Sequence, residues 1–361
     1  MVLSSAPARV CLYGEHQDYL KLKVIPAAID LRLSLRAKKI VEPRYIAKSL
    51  DLQRTEIIPT SLRKLSGKHS FLSYLEAGYL SLKKHFSDEI FIPLEVEISS
   101  MIPLESGLSS SAALLVGWIN LLAQSSNIEI DKQTLAELAY VAEHDLLGIP
   151  CGKMDQYSSS IGSIISLDLE DDENVKFQKF DNPDLGLVVV NSCVPKKTND
   201  VHSKVVNKSK KVVAELYKKS SVPIKRITLE QLEKYKHEFN SVDYKLLKAI
   251  ISIRDDTKSA EVELNKSSLD LEFLGSLLTS QQKALREGIG VSLPILDKIV
   301  GLGIKFGALG GKLTGAGLGG CVVILTYNEE KNLIASKLRN ELSLPVWAVN
   351  VDDGVKFFEK E

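Results

Sequence analysis

Pro103-Leu104-Glu105-Ser106-Gly107-Leu108-Ser109-Ser110-Ser111-Ala112-Ala113 follows a strictly alternating run, Leu94-Glu95-Val96-Glu97-Ile98, and opens an apolar run that continues to about Gln124. Alternation at period two predicts a strand, and the longer apolar run predicts a helix. The stretch is therefore a strand-to-helix turn. Its glycine lets the backbone approach a ligand closely. The first turn of the helix presents unpaired N–H groups and a dipole that favours phosphate. Ser109, Ser110 and Ser111 add hydroxyls that suit phosphate or Mg²⁺. A capping serine is the plainer explanation, but one cap needs one hydroxyl and three are present. The stretch is not a Walker A loop, because the GxxxxGK[ST] spacing is absent.

Working back towards the N-terminus, a helical stripe of Phe71, Leu72, Leu75 and Tyr79 lies within residues 68–86, and the first sixty residues read as strands and turns. Leu31 to Ala37 alternates as a half-exposed strand, Val24 to Ile29 is apolar, and Val10–Tyr13 is a short apolar run ended by Gly14. The next segment, Gly14-Glu15-His16-Gln17-Asp18-Tyr19, is too polar for a core strand. Two carboxylates, an imidazole and a phenol in so few positions, with Arg9 upstream, suit the vicinal hydroxyls of a sugar. An exposed turn is the plainer alternative.

Working forward, a helix is expected over about 131–147, opened by Asp131, then a Gly148/Pro150 break, a shorter helix near Cys151, and a strand over 162–169. Glu143, His144 and Asp155 fall around that break. One acid of the pair Glu143/Asp155 would hold Mg²⁺ while the other orients or deprotonates a hydroxyl nucleophile; from spacing alone, helix-end capping competes. His144 reads as a packed or surface histidine.

Asp181 to Asp184 looks like a linker, and Leu185–Asn191 is an apolar strand. The lysines from Lys196 to Lys211 read as a solvated helix face, with a phosphate-attracting patch as the sharper alternative. Helices are expected over 229–260, 267–286, 292–306 and 329–340, and strands over 321–326 and 344–350. Between them lies a loop over 310–320, in which six of the eleven residues are glycine. Turning alone rarely needs so many; close approach to a ligand or to the 103–111 loop would use them. The second half therefore reads as helices on a small sheet, an α+β pattern.

Composition fits this organisation. The 361 residues point to two or three domains. Lys+Arg and Asp+Glu are both 46, which argues against a strongly basic nucleic-acid binder. Four widely spaced cysteines build neither a disulfide scaffold nor a zinc knuckle. The expectation is an intracellular, cytoplasmic protein with no targeting segment and no membrane span.

Taken together, these segments resemble the GHMP family of small-molecule kinases. That family carries an N-terminal substrate motif, a Pro-x-x-x-Gly-Leu-Ser-Ser-Ser-Ala phosphate loop and a C-terminal Gly-rich loop. Within it the chain is most similar to the galactokinase branch: Gly14-Glu15-His16-Gln17-Asp18-Tyr19, then Val24-Ile25-Pro26-Ala27-Ala28-Ile29-Asp30, then Ala142-Glu143-His144 with Gly148-Ile149-Pro150-Cys151-Gly152-Lys153-Met154-Asp155-Gln156, and Thr314-Gly315-Ala316-Gly317-Leu318-Gly319-Gly320-Cys321. The resemblance covers essentially the whole chain. It implies an α+β GHMP kinase fold, with an N-terminal mixed α/β domain over residues 1–182 and a C-terminal ferredoxin-like domain over 183–361, the active site lying between them.

The implied activity is transfer of the γ-phosphate of ATP to the anomeric hydroxyl of galactose. N-acetylgalactosamine, another hexose or a mevalonate-like alcohol are alternative acceptors, and a non-catalytic sugar or nucleotide sensor is the alternative class. By the same resemblance Asp155 faces the anomeric hydroxyl and Arg9 stabilises charge at the transferred phosphoryl. Glu15, His16, Asp18 and Gly152 meet the sugar. Gly107, Leu108, Ser109, Ser110, Ser111 and Ala112, with Gly315 and Gly317, hold ATP, and Ser110 and Glu143 approach Mg²⁺. The implied partners are a small sugar, no nucleic acid and no membrane, in a monomer or homodimer. Three departures stand out. Glu105 replaces a usual glycine. Leu20-Lys21-Leu22-Lys23 replaces paired glycines. The 191–200 segment has no clear counterpart to a sugar-contacting tyrosine.

Overall fold

The computed structural model describes residues 1–67, 70–104, 106–171, 174–180, 183–195 and 199–359. Strands β1 (Val2–Tyr13) and β2 (Ile25–Lys39) form a long antiparallel pair at the heart of the first sheet. The short apolar run Val10–Tyr13 is the end of a strand that begins at Val2. The whole segment pairs because a register shift between Pro7 and Ala8 accommodates the proline within the ladder. Strands β3 (Arg44–Ser49) and β4 (Arg54–Pro59) form a hairpin. Helix α1 (Phe71–His85) starts at a reciprocal Ser70/Ser73 cap, and β5 (Leu94–Ser100) follows it. Then come α2 (Ser110–Ser125), α3 (Lys132–Tyr140), α4 (Met154–Ile161), β6 (Ile164–Asp168) and β7 (Lys176–Phe180).

Helix α2 is buried almost all round, as its unbroken apolar sequence requires. It lies on β1 and β2, and α1, α3 and α4 pack about it. Trp118 of α2 donates its indole N–H to the Leu75 carbonyl (2.9 Å), so the largest side chain of this core buries no unpaired donor. Asp131 caps α3 through the N–H groups of Gln133 and Thr134. The single helix expected over 131–147 does not continue unchanged: after Tyr140 it widens into a π-type turn over Val141–Leu146.

The second sheet comprises β8 (Gly186–Asn191), β9 (Gly310–Thr314), β10 (Cys321–Thr326) and β11 (Val346–Val349), in the order β11-β8-β10-β9, antiparallel throughout. Because β10 is antiparallel to both β8 and β9, these two are parallel strands split by a third, the ferredoxin-like arrangement. Between β8 and β9 run α5 (Asn199–Ser220), α6 (Leu229–Glu233), α7 (Ser241–Leu264), α8 (Leu271–Ala284) and α9 (Pro294–Lys305). Helix α10 (Lys331–Leu342) joins β10 to β11. Two expectations are corrected here. The helix over 229–260 is two helices, because Thr228 and Gln231 form one cap and Asn240 forms a second. The first five residues of the 310–320 loop are strand β9, fully buried against β10.

Strand β12 (Lys356–Glu359) returns from the end of the chain to pair with β1, at the edge of the first sheet. That sheet has the order β12-β1-β2-β5-β3-β4, with β6 and β7 branching from β2. The expected division between residues 182 and 183 falls beside residues 181 and 182, which lie outside those described, as does Glu105. Of the lysine run, Lys196 and Lys197 also lie outside; Lys204, Lys208, Lys210 and Lys211 face solvent on α5. Helices α7 and α8 touch β1, and α8 also touches β9, so they tie the two sheets together behind the site.

Candidate active site

Arg9 is the pivot. It sits in β1, 4% exposed, and its guanidinium reaches in two directions. Nε and Nη2 donate to Asp155 Oδ1 (2.7 and 2.6 Å), and Nη1 donates to the Gly107 carbonyl (2.5 Å). Its own N–H donates to the Leu108 carbonyl (3.2 Å). One arginine thus joins the strand-to-helix loop to the first turn of α4, segments 46 or more residues apart in sequence.

The three serines separate into three duties. Ser109 stands at the N-cap of α2 in the left-handed region (φ 63°) and makes no capping bond. Its hydroxyl donates instead to Asp155 Oδ2. Ser111 lies near enough to Glu143 to stabilise its carboxylate, and Ser110 lines the same cleft. Capping therefore does not account for the serines. Glu143 is turned inward by the π-type turn and accepts from Gln156 Nε2 (2.7 Å). Burial pushes its carboxyl up to about 7, with Asp155 adding to the rise, although Ser111 and Gln156 oppose it. A carboxylate beside two serine hydroxyls is an all-oxygen donor set, which suits Mg²⁺ shared with phosphates. His144, one residue on, is left outside, paired with Asp145 and stacked on Tyr140.

The polar loop after β1 folds over the same cleft. Glu15 is buried, and its Oε2 accepts from the Gly315 N–H (2.9 Å) and from Lys312 Nζ (3.2 Å). His16 takes a positive φ of 63° and its Nδ1 meets the Tyr19 hydroxyl at 3.0 Å, so Tyr19 supports the loop. Asp18 rests on Gly152. A Cβ at residue 152 would lie 2.1 Å from Asp18 Oδ2. Burial, and after it the negative charge of Asp155, pushes the Asp18 carboxyl up to about 7. The two glycine loops meet as the Gly-rich stretch led one to expect: a Cβ on Gly315 (φ +84°) would fall 2.8 Å from the Gly107 Cα.

These groups line one cleft of about 800 Å³. It contains Arg9, Glu15, His16, Asp18, Gly107, Ser109, Ser110, Ser111, Glu143, Gly152, Asp155 and Gly315. Leu108 and Ala112 are instead buried behind the loop, and Gly317 packs on Val291, so these three do not line it. Cys151 does line it, and burial, then the charge of Glu143, hold its thiol well above its ordinary pKa, which favours the protonated thiol.

Three features escaped sequence reasoning. Lys312 in β9 is wholly buried and donates to the Cys11 carbonyl (2.7 Å), the Leu313 carbonyl (2.9 Å) and Glu15. A lone cation inside a Gly-rich, apolar stretch was its available signal. Phe71, Tyr74 and Leu104 add apolar lining to the cleft, and Ser49 and Asp51 polar lining, from separate elements with no local motif. His202, from α5, lines the cleft, and nothing in its lysine-rich surroundings marked it.

Comparison with known proteins agrees with this geometry. Residues 73–163 match the GHMP kinases N terminal domain and residues 262–344 the GHMP kinases C terminal. Residues 2–39 match the galactokinase galactose-binding signature. A galactokinase of Staphylococcus saprophyticus is 30% identical, covering 98% of this chain and 95% of that one. The structure of Lactococcus lactis galactokinase complexed with galactose superposes with a TM-score of 0.85 at 20% identity, covering 98% of this chain and 95% of that one. Methanococcus jannaschii mevalonate kinase superposes at 0.74 with 23% identity, covering 98% of both chains. The fold alone is therefore shared by kinases of unlike acceptors. Among the described residues no helix is long and apolar enough to cross a membrane.

Proposed function

This chain belongs to the galactokinase family of GHMP kinases, and on that premise we propose that it transfers the γ-phosphoryl group of ATP to the anomeric hydroxyl of galactose. The observation that carries the assignment of roles is the convergence on Asp155. Arg9 holds one carboxylate oxygen, Ser109 of the serine loop holds the other, and Asp18 of the polar loop lies close enough to feel its charge. The reacting hydroxyl belongs where the polar loop and the serine loop meet, and that is where Asp155 stands.

A sugar hydroxyl is a weak nucleophile. Asp155 orients it in line with the γ-phosphate and takes its proton as the new P–O bond forms and the bond to ADP breaks. Arg9 places positive charge beside that transfer without reorganising, because its fork is already fixed on Asp155 and the Gly107 carbonyl. The first-turn N–H groups of α2 and the glycines of the two loops receive the phosphates. Ser110 and Glu143 would hold Mg²⁺, which neutralises phosphate charge when bound. Phe71, Tyr74 and Leu104 supply an apolar wall for the nucleobase. Glu15, His16 and Asp18 take sugar hydroxyls, and Gly152 leaves room for Asp18. A small sugar and Mg·ATP working in the cytoplasm complete the proposal.

The test is direct. Purified protein is incubated with Mg·ATP and a panel of hexoses, N-acetylgalactosamine and mevalonate, and the product is examined by NMR. Phosphorus coupled to the anomeric proton of galactose is the expected result. A product phosphorylated at C6, or turnover of mevalonate alone, overturns the proposal.

A further inference from the structure

Between Asp155 and Gly315, one described residue lines the cleft: His202 of α5. Its ring lies 5.9 Å from that of His16 and 6.4 Å from that of Tyr19, centroid to centroid. The helix that carries it is fastened to the polar loop at further points. Ser209, seven residues on and so on the same face, is buried, and α5 packs on the turn at Asp18–Leu20. Val212 and Leu216 bury against Leu22, just past the loop. The face of α5 turned towards residues 14–22 is therefore packed down, and His202 is the residue of that face at the cavity.

The positions along the cleft give it a direction. Arg9, Ser109 and Asp155 cluster at the reacting end. Asp18 comes next, close enough to feel the charge of Asp155. His16, Tyr19 and His202 form an aromatic group on the polar-loop side. A hexopyranose with its anomeric oxygen at Asp155 turns the opposite edge of the ring, centred on C4, away from the phosphate loop. An imidazole carries one donor and one acceptor nitrogen when neutral, which matches a hydroxyl that both accepts and donates. Sites that hydrogen-bond a substrate hydroxyl reject analogues lacking it far more strongly than apolar walls do.

We infer that His202 contacts the sugar at the edge opposite the anomeric carbon and sets which hydroxyl pattern there is accepted. This rests on the sugar-kinase proposal above. His202 is a specificity contact and takes no part in the transfer itself.

The experiment uses the full chain and compares wild type with His202→Phe and His202→Gln, each checked for folding by thermal melt. Initial rates are measured against galactose, its 2-deoxy and 4-deoxy analogues, and ATP. Loss of one hydroxyl contact should raise the galactose KM of His202→Phe by about tenfold while the ATP KM and kcat stay within about twofold. Wild type should disfavour the 4-deoxy sugar, His202→Phe should lose that preference, and the 2-deoxy preference should be unchanged in both. His202→Gln, which keeps a donor and an acceptor, should fall between. A galactose KM within twofold of wild type in both variants overturns the inference. So does an equal rise in the KM for sugar and ATP, which marks a structural role. Wild-type protein that phosphorylates no hexose overturns the sugar-kinase proposal itself, and the inference with it.

Discussion

The carboxylate of Asp18 lies directly on the Cα of Gly152, so that even a methyl group at residue 152 would come within 2.1 Å of Asp18 Oδ2. Two segments more than a hundred residues apart thus share one small volume. Gly152→Ala must displace Asp18, because the added methyl would also lie 2.4 Å from its Cγ and 2.7 Å from its Cβ, so turning the carboxylate aside does not clear it. The expected outcome is a rise of tenfold or more in sugar KM, roughly the loss of one hydrogen bond to a charged group, with the ATP KM little changed. Steady-state kinetics on both substrates checks this.

Asp155→Asn should lower the chemical rate by roughly 10²–10⁴, read by single-turnover phosphorylation at saturating sugar and Mg·ATP. It should also lower thermal stability. Arg9 is buried and Asp155 is its carboxylate partner, and breaking a buried pair outright costs about 3–5 kcal/mol. Asparagine retains an acceptor for Nε, so the loss should fall below that range. A variant with more than half the wild-type chemical rate would remove Asp155 from the mechanism.

Ser110→Ala should weaken use of Mg·ATP and leave sugar binding intact. Ser110 is the first residue of α2 and not its N-cap, which is Ser109, so the fold should lose less than the ~0.5–2 kcal/mol of a lost cap. Sugar affinity measured by calorimetry without nucleotide should match wild type. An equal loss there would show that the helix end serves the sugar instead.

Asp18 gives a pH signature. Burial, then Asp155, raises its folded pKa to about 7 from the ordinary 3.8. Between those values the native state keeps a proton that the unfolded chain has lost, so stability falls as pH rises from about 4 to about 7. Asp18→Asn removes that dependence. Its melting temperature should gain on wild type at pH 8 and not at pH 4, while its sugar affinity falls at both. Parallel melting curves across that range would remove the assigned shift.

Lys312→Met should destabilise the protein by about 3–5 kcal/mol, the cost of stranding a buried charge. Glu15 would keep the Gly315 N–H and lose its ion pair with Lys312. Lys312→Met combined with Glu15→Gln should recover part of that loss in a denaturant titration. No recovery in the double variant would mean that Lys312 acts through the Cys11 and Leu313 carbonyls alone.

Local chemistry made much of this molecule legible in the sequence. The Leu94–Ile98 alternation, the apolar run after Ser111, the Asp131 cap and the Gly148/Pro150 break are set by steric and hydrogen-bonding rules that act within a few residues, and the elements formed where those rules placed them. The polar loop, the serine loop and the Gly-rich loop stood out for the same reason, since each is too polar or too glycine-rich to be only a turn. The division of 229–260 is also local, set by the Thr228/Gln231 and Asn240 caps.

Tertiary structure decided which groups meet. Whether Ser109 capped its helix or held Asp155 depended on where α4 lay, and α4 is placed by the core around α2. Glu143 faces the cleft because a π-type turn rotates it inward while His144 goes to solvent, a difference of one residue that no period reports. Lys312 could be buried only because Glu15 and the Cys11 carbonyl, some 300 residues away in the chain, arrive to join the neighbouring Leu313 carbonyl in receiving it. Contacts of that span are fixed by packing of the whole core, so no window along the sequence contains them.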